Sequence, residues 1–375
     1  MLFKEWLRAN PTLPSIKDNV ASNVISSFIG KVKNVGRRHF DREIYDSFSK
    51  CLGCKACNTQ CPIKVSIPDA KAYFLQLFFT KHFRKPQDYL IGHIESIIKY
   101  FGTFPTISNV MLRNRLVQFC LKKIFGISHI LEIAPPTEAL KPITSDKKLY
   151  LLRESYTHYY LGDELSSAFK LLTKLGFEVI PTKIFENGKA LHSKGFLKRF
   201  RKVIRNNIAY FESLENYPML SLDPSIALSY QDEYVRFSDK KLNITYLPNF
   251  LEQQPCSATL DTNKNYHLIL HCSEQSNVAN IAKIWKNIFA KFGASLHVIE
   301  IGCCGMSGSF GSESQHQEDS KNIFHNNWQP VLDELSKDKN NILMVSGSSC
   351  KSQIKRFAQY SLCHPITVLE SSLVS

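Results

Sequence analysis

Residues 51–62 read C-L-G-C-K-A-C-N-T-Q-C-P, with Cys51, Cys54 and Cys57 at every third position, Cys61 four residues on, and Pro62 closing the run. This is the C-x2-C-x2-C-x3-C-P spacing of bacterial iron–sulfur loops. A cubane offers several iron corners close together, so a short loop has to aim its thiolates inward from nearly consecutive turns. Gly53 and Ala56 are small enough to let the backbone approach, and Pro62 stops the loop from winding on beneath the fourth cysteine. A zinc knuckle, the competing reading, pairs two C-x-x-C units far apart in sequence. The spacing therefore predicts a 4Fe–4S cluster on Cys51, Cys54, Cys57 and Cys61. In two-cluster ferredoxins the fourth cysteine serves the other cluster. Cys61 thus either closes this cluster or serves a second one whose other ligands lie elsewhere.

The totals bound the class of protein. At 375 residues the chain can hold two or three domains with sizeable cores. No apolar run is long enough to span a bilayer, and the nearest, Leu116 to Leu131, is broken by Lys122 and Lys123. The N-terminal M-L-F-K-E-W-L-R lacks the apolar centre of a signal peptide. Eleven clustered cysteines without an export signal point to a reducing cytosol and metal ligation rather than to disulfides. The net charge of +14 is uneven: residues 1–145 hold 21 Lys and Arg against 10 Asp and Glu, and the rest 26 against 23. A basic first lobe fits an acidic protein partner, an anionic membrane surface or plain solvated surface. No helix-turn-helix, aromatic RNA-binding signature or Cys2His2 finger supports nucleic acid. The expectation is a cytoplasmic chain whose basic lobe docks a partner, with peripheral contact at the inner membrane face as a further expectation.

Around the loop, residues 1–50 read as one or two short helices, with a polar linker near Asn10 to Asn23 and a helical lead-in over Asp41 to Lys50. Ile67 to Lys81 is an apolar-rich helix, and two or three more fill Pro86 to Ile133, broken at Gly102–Pro105 and at Gly126. Their apolar and basic stripes suit either packing or a membrane surface. Pro135-Pro136 and Pro142 mark a linker, which ends the first domain near residue 145.

The remainder is an imperfect repeat at a shift of 117 residues. Leu151 to Ser155 then overlies Leu268 to Cys272, Gly176 overlies Gly293, and Gly188 overlies Gly305. Each copy opens on a short buried strand, near Leu149–Arg153 or Tyr266–Leu270. An amphipathic helix follows, ending in a glycine C-cap, and then a second strand, F-E-V-I-P or S-L-H-V-I. Strand, helix, strand is a βαβ unit with a parallel sheet. The fold expected is α/β: a helical domain over 1–145 and two βαβ domains over 146–242 and 243–375, with the boundary between them in the interval 239–254.

The second copy carries Cys272, Cys303, Cys304 and Cys350, all at strand ends or in the loops that follow, where open parallel sheets bind ligands. Adjacent thiols followed by Gly305 suit a compact metal cluster, with the glycine leaving room for it, and Gly308 and Gly311 extend a loop whose N–H groups can donate to sulfide or an anion. The alternatives are a zinc site and four unrelated buried cysteines. In the first copy Ser155 stands for Cys272, Glu186-Asn187-Gly188 for Cys303-Cys304-Gly305, and Ile226 for Cys350. That copy is expected to keep the fold and hold no cluster. Its loop Asn187 to Gly195 reads equally as an anion or acceptor site and as a surface turn. His271 and His364 neighbour cysteines and read as structural histidines, with a hydrogen bond to a cluster sulfur that tunes its potential as the alternative; Cys120, Cys256 and Cys363 read as packing residues.

A ferredoxin-type run followed by two "CCG"-type domains resembles the iron–sulfur subunits of glycolate oxidase, anaerobic glycerol-3-phosphate dehydrogenase and heterodisulfide reductase. G-C-K-A-C-N-T-Q-C-P-I-K-V-S-I-P, N-G-K-A-L-H-S-K-G-F, D-P-S-I-A-L-S-Y-Q-D-E-Y, G-C-C-G-M-S-G-S-F-G and S-G-S-S-C-K-S-Q narrow it. Together they resemble the C-terminal half of bacterial FAD-linked oxidases of the D-2-hydroxyglutarate dehydrogenase type. In that family an FAD-binding half precedes this region, whereas here Met1 stands where it would have ended. The general CCG pattern closes in C-x-x-C, whereas here Gln353 follows Cys350 at that spacing. A four-cysteine site then remains in place of a five-cysteine noncubane cluster.

The resemblance implies an electron-transfer half of a flavin-dependent 2-hydroxy-acid dehydrogenase. FAD would sit on a partner chain, the Cys51–Cys61 cluster would accept its electrons, and the Cys272, Cys303, Cys304, Cys350 site would pass them to a quinone or redox-protein acceptor. A heterodisulfide-reductase-like thiol enzyme and a zinc-holding remnant are the alternatives.

Overall fold

The computed structural model describes residues 40–63, 65–134, 142–256, 259–358 and 360–373. The expected short helices before residue 40 and the Pro135-Pro136 linker lie outside these. Among the described residues, seven short strands form two parallel sheets: β1 Lys148–Leu151, β2 Glu178–Pro181, β3 Met219–Ser221, β4 Ile244–Tyr246, β5 Asn265–Ile269, β6 Leu296–Ile299 and β7 Asn341–Val345. The first sheet runs β2-β1-β3-β4 and the second β6-β5-β7. Their shared part has one order, the opening strand flanked by the next two, as the repeat requires. Leu149 pairs with Val179 in one copy, and Leu268 with Val298 in the other. Gly176 and Gly293 follow the first long helix of each copy at φ +87° and +71°, the left-handed turn that ends a helix cheaply only at glycine.

β4 lies past residue 242 yet pairs with β3, Met219 opposite Ile244, so the first sheet extends to Tyr246, inside the 239–254 interval. The two copies also share one core. Leu149, Leu165 and Leu171 of the first join Leu268, Trp285 and Ile288 of the second, and the last helix, Pro365–Ser372, packs back on the first copy's Gly162–Lys174. Polar contacts close the seam: Ser348 Oγ donates to Asp223 at 3.1 Å, and Lys351 pairs with Glu164.

The first lobe is helical. Phe40–Ser49 leads into the cysteine loop and Ile67–Lys81 leads out, meeting through Ile44, Phe48, Phe74 and Phe78. Four helices follow rather than two or three: Pro86–Gly92, Ile94–Phe101, Pro105–Arg113 and Arg115–Ile124. The expected breaks at Gly102–Pro105 and Gly126 are present; His93 and Asn114 add two more. At Asn114 the side-chain oxygen accepts the N–H groups of Leu116 at 2.9 Å and Val117 at 3.4 Å, a cap that starts a new helix. No helix among the described residues is long and apolar enough to cross a membrane.

Candidate metal centre

The cysteine loop turns through two left-handed residues, Gly53 at φ +66° and Lys55 at φ +62°, before the short helix Ala56–Gln60. All four loop cysteines are half-buried. The Ile67 N–H points at Cys57 Sγ at 3.5 Å, and Lys71 Nζ donates to the Cys51 carbonyl at 3.3 Å. One side of the loop lies on the second copy: helix Ala56–Gln60 packs against Cys272–Asn277, and Asn277 Nδ2 donates to the Cys54 carbonyl at 3.1 Å. Burial raises the Cys54 thiol, and the neighbouring thiols of Cys303, Cys51 and Cys57 push the same way.

The second copy brings its four cysteines together. Cys272 opens the helix after β5, Cys303 and Cys304 lie in the loop after β6, and Cys350 sits in the first turn of Ser348–Phe357 after β7. The contacts run in a chain, Cys272 to Cys303, Cys303 to Cys304, Cys304 to Cys350. Cys303 is the acceptor in the middle. The thiols of Cys272 and Cys304 donate to it, and the Gly305 N–H lies 3.3 Å from its sulfur. These bonds lower its thiol to about 3 against the opposing effect of burial, while Cys272 and Cys304 are raised by donating to it. Cys54 is among the charges acting on Cys272, as Cys303 is on Cys54. The loop and the distal quartet thus stand side by side.

Several expectations need correction here. Gly305 makes room for protein: a Cβ at its φ of +84° would collide with the Ser320 carbonyl oxygen. The Gly311 N–H is spent on the Met306 carbonyl at 2.9 Å. Cys363 is exposed and is not a packing residue. His271 and His364 are structural: each Nδ1 caps a helix, accepting the N–H of Ser273 at 3.3 Å or of Ile366 at 3.2 Å. Gln353, at the place of the missing C-x-x-C cysteine, is fully buried and braces the pair by donating to the Cys304 carbonyl at 3.0 Å and to Ser320 Oγ at 2.9 Å.

The Asn187–Gly195 loop of the first copy is neither an anion site nor a surface turn. Asn187 and His192 are buried, and the loop interlocks with the helical lobe. Gly195, at φ +68°, lies so close to helix Ile67–Lys81 that a Cβ would stand 2.8 Å from Gln76 N and 2.9 Å from the Ala72 carbonyl oxygen. Arg84 donates to the carbonyls of Lys194 at 2.6 Å and Gly195 at 2.8 Å, sandwiched between the rings of Phe79 and Phe196. Glu95 reaches in from the helical lobe to accept the backbone N–H groups of Asn187 and Gly188, the positions equivalent to Cys304 and Gly305. Burial pushes its carboxyl up to about 7 although those two N–H bonds oppose the shift.

A buried charge network joins the cysteine loop to the first copy. Lys55 is 4% exposed, and its Nζ reaches Asp232 at 2.8 Å and Glu233. Arg236 pairs with Asp232 and Asp69, and His192 Nε2 lies 3.2 Å from Asp69. Burial would lift Glu233, but Lys55, Lys189 and His192 outweigh it and hold the carboxyl at about 2. Asp69, His192 and Glu233 have ligand atoms within 4.8 Å of one another. A divalent cation does not suit them, because Lys55, Lys189 and Arg236 already offset the charges of Asp69, Asp232 and Glu233. Sequence reading missed Lys55, Glu95 and Gln353. The one local sign was an acidic pair, Asp232-Glu233, set between Tyr230 and Tyr234 in a run with a buried face.

The structure defines a cysteine-rich α/β chain in which a cysteine loop is seated on two parallel units. No family model matches the chain. It is 31% identical over 402 residues to the D-2-hydroxyglutarate dehydrogenase of Pseudomonas putida, covering 98% of this chain and 39% of that protein. It is 30% identical over 363 residues to that of Escherichia coli, covering 90% and 35%. One of the subunits of the Escherichia coli anaerobic glycerol-3-phosphate dehydrogenase is 23% identical over 239 residues, 58% of this chain and 57% of that one. The chain is homologous to the C-terminal region of D-2-hydroxyglutarate dehydrogenases, and it spans about two fifths of their length.

Proposed function

We propose that this chain is the iron–sulfur electron-transfer half of a flavin-dependent D-2-hydroxy-acid dehydrogenase, of D-2-hydroxyglutarate, D-lactate or glycolate type. It carries electrons from a flavin on a partner chain to a quinone or redox-protein acceptor. The observation that carries the reading is the adjacency of the two cysteine groups at Cys54 and Cys303, in a chain homologous to a dehydrogenase. Cys51, Cys54, Cys57 and Cys61 would hold a 4Fe–4S cluster, and Cys272, Cys303, Cys304 and Cys350 a second metal centre, iron–sulfur or zinc. The donor sets suit such groups: each has a backbone N–H directed at a sulfur, from Ile67 to Cys57 and from Gly305 to Cys303. A bound cluster supplies one-electron storage. The protein sets spacing, burial and charge around it.

The partner docks on the helical lobe in this reading. Helices Pro105–Arg113 and Arg115–Ile124 present Ile107, Val110, Leu116 and Phe119 to solvent beside Arg115, Lys122 and Lys123, an apolar face with a basic rim of the kind that supports docking. Anaerobic purification with iron and acid-labile sulfide counts, plus EPR of the reduced protein, tests the proposal. Iron with matching sulfide, and no D-2-hydroxyglutarate oxidation by the chain alone, is expected. Zinc without sulfide, or turnover by the isolated chain, overturns it.

A further inference from the structure

The cysteine-less first copy makes the closest charged contact with the cysteine loop. Lys55 lies between Cys54 and Ala56 and takes the left-handed conformation, φ +62° and ψ 8°, that side chains other than glycine and asparagine adopt at a cost. In that conformation the long side chain turns away from the loop and into the first copy. Its Nζ ends on Asp232 and Glu233, at the close of the helix that begins at Asp223 and the start of the next. Lys55 is 4% and Glu233 2% exposed, with Asp232 at 26% on the rim of the site. Both carboxylates stand within ion-pair distance of the ammonium and hold it there. Around them Arg236 and Lys189 complete the compensation.

We propose that Lys55 is a positioning residue for the metal-binding loop, and that the first copy is retained as its seat. The Asp232–Glu233 pair anchors the ammonium of the residue next to Cys54 and so clamps the loop in register with the second copy's cysteines. This deepens the proposed function and rests on it for the redox effect, though not for the clamp. A positive charge beside a redox centre favours its reduced form, so the three residues act on that centre with predictable signs.

The test compares Lys55→Met, Lys55→Arg and Glu233→Gln with the wild type in the full chain, by EPR-monitored redox titration of the anaerobically loaded protein and by hydrogen exchange of the metal-free one. Lys55→Met should lower the equilibrium reduced fraction about tenfold, 59 mV for one electron. Glu233→Gln should raise it, and Lys55→Arg should stay near the wild type. Damage to the loop without an electrostatic role would move both uncharged variants the same way, so same-direction shifts, or none, overturn the redox part. In metal-free protein, Lys55→Met should lose exchange protection over residues 51–61 while the sheets keep theirs. Unchanged protection there overturns the seat. A wild-type preparation without iron and sulfide sinks the function proposed above and leaves the exchange arm to judge the seat alone.

Discussion

Gly305→Ala puts the construction of the distal site to a quantitative test. Two costs fall on the new methyl group. Gly305 sits at φ +84°, where a Cβ costs about 1–2 kcal/mol, offset by about 0.4–1 kcal/mol from the stiffer unfolded chain. The methyl would also collide with the Ser320 carbonyl oxygen and stand 3.1 Å from Ser320 Cα. Ser320 is buried in helix Gln317–Asn327, which in turn carries Phe324 into the core, so that backbone has little room to move. Overpacking of this kind costs about 1–3 kcal/mol. Gly308→Ala is the control, because Gly308 has φ +62° and nothing within 4 Å of the added atom. It should lose about 1 kcal/mol or less, and Gly305→Ala about 3 kcal/mol. Urea titration of the metal-free protein, read by fluorescence in a Trp6→Phe, Trp285→Phe background where Trp328 is the remaining emitter, reports the difference locally, since Trp328 Nε1 donates to the Gly302 carbonyl at 3.0 Å. The loaded Gly305→Ala protein should also lose distal metal while the loop keeps its own. Coincident midpoints with equal slopes for the two variants would refute the claim that Gly305 exists to admit the Ser320 backbone.

Two pH dependences follow from the buried carboxyls, with opposite signs. Glu233 is held at about 2 against an ordinary 4.5, so it stabilises the fold fully above the ordinary carboxylate range. That contribution, on the order of 3 kcal/mol, is lost as pH falls toward 2; acid unfolding should begin at higher pH in the wild type than in Glu233→Gln once their neutral-pH stabilities are matched by urea. Glu95 is raised to about 7, so the fold binds a proton that the unfolded chain has released, and stability declines from about pH 4.5 to about pH 7 before levelling. Thermal midpoints across that interval should slope downward in the wild type and flatten in Glu95→Gln; a slope that survives the substitution would exclude Glu95 as its source.

What the sequence revealed and what it hid divide along range. The repeat is local: opening strands four or five residues long, a helix of 13 or 11 residues and a glycine that must turn left-handed recur at Gly176 and Gly293, and a second left-handed glycine at Gly188 and Gly305. Such features survive when side chains drift, because backbone geometry demands them. The four distal cysteines could be placed at strand ends from the same pattern. The roles of Lys55 and Glu95 are not local. Lys55 finds its partners 177 and 178 residues away, and Glu95 its own 92 and 93 residues away. Polarity also misled: Asn187 to Gly195 looks like surface because it is polar and basic, yet Asn187 and His192 are buried, His192 against Asp69 of the helical lobe. The shared core blurred the expected separation of the two copies for a related reason, since apolar residues do not declare which sheet they will face.

The two hidden contacts explain each other. In the second copy the N–H of Gly305 faces a sulfur, that of Cys303. In the first copy the equivalent Gly188 N–H, with that of Asn187, faces the Glu95 carboxylate. A turn of this shape presents N–H groups to one point and calls for an acceptor there, best a negative one. When the first copy lacks thiolates, its turn still needs that acceptor, and the helical lobe supplies it. The same lobe offers a cation, Lys55, to the acidic pair at Asp232 and Glu233. A hydrogen-bond acceptor at one end of the contact and a positive group at the other allow a single docking of lobe on copy. Sliding by one helical turn, about 5.4 Å, would leave the Lys55 charge buried and unpaired and the Glu95 carboxyl without its donors, at several kcal/mol in total. The absence of cysteines from the first copy therefore does not make it idle. Its vacated ligand turn and its acidic pair fix the angle at which the cysteine loop meets the only copy that carries cysteines at these ligand positions.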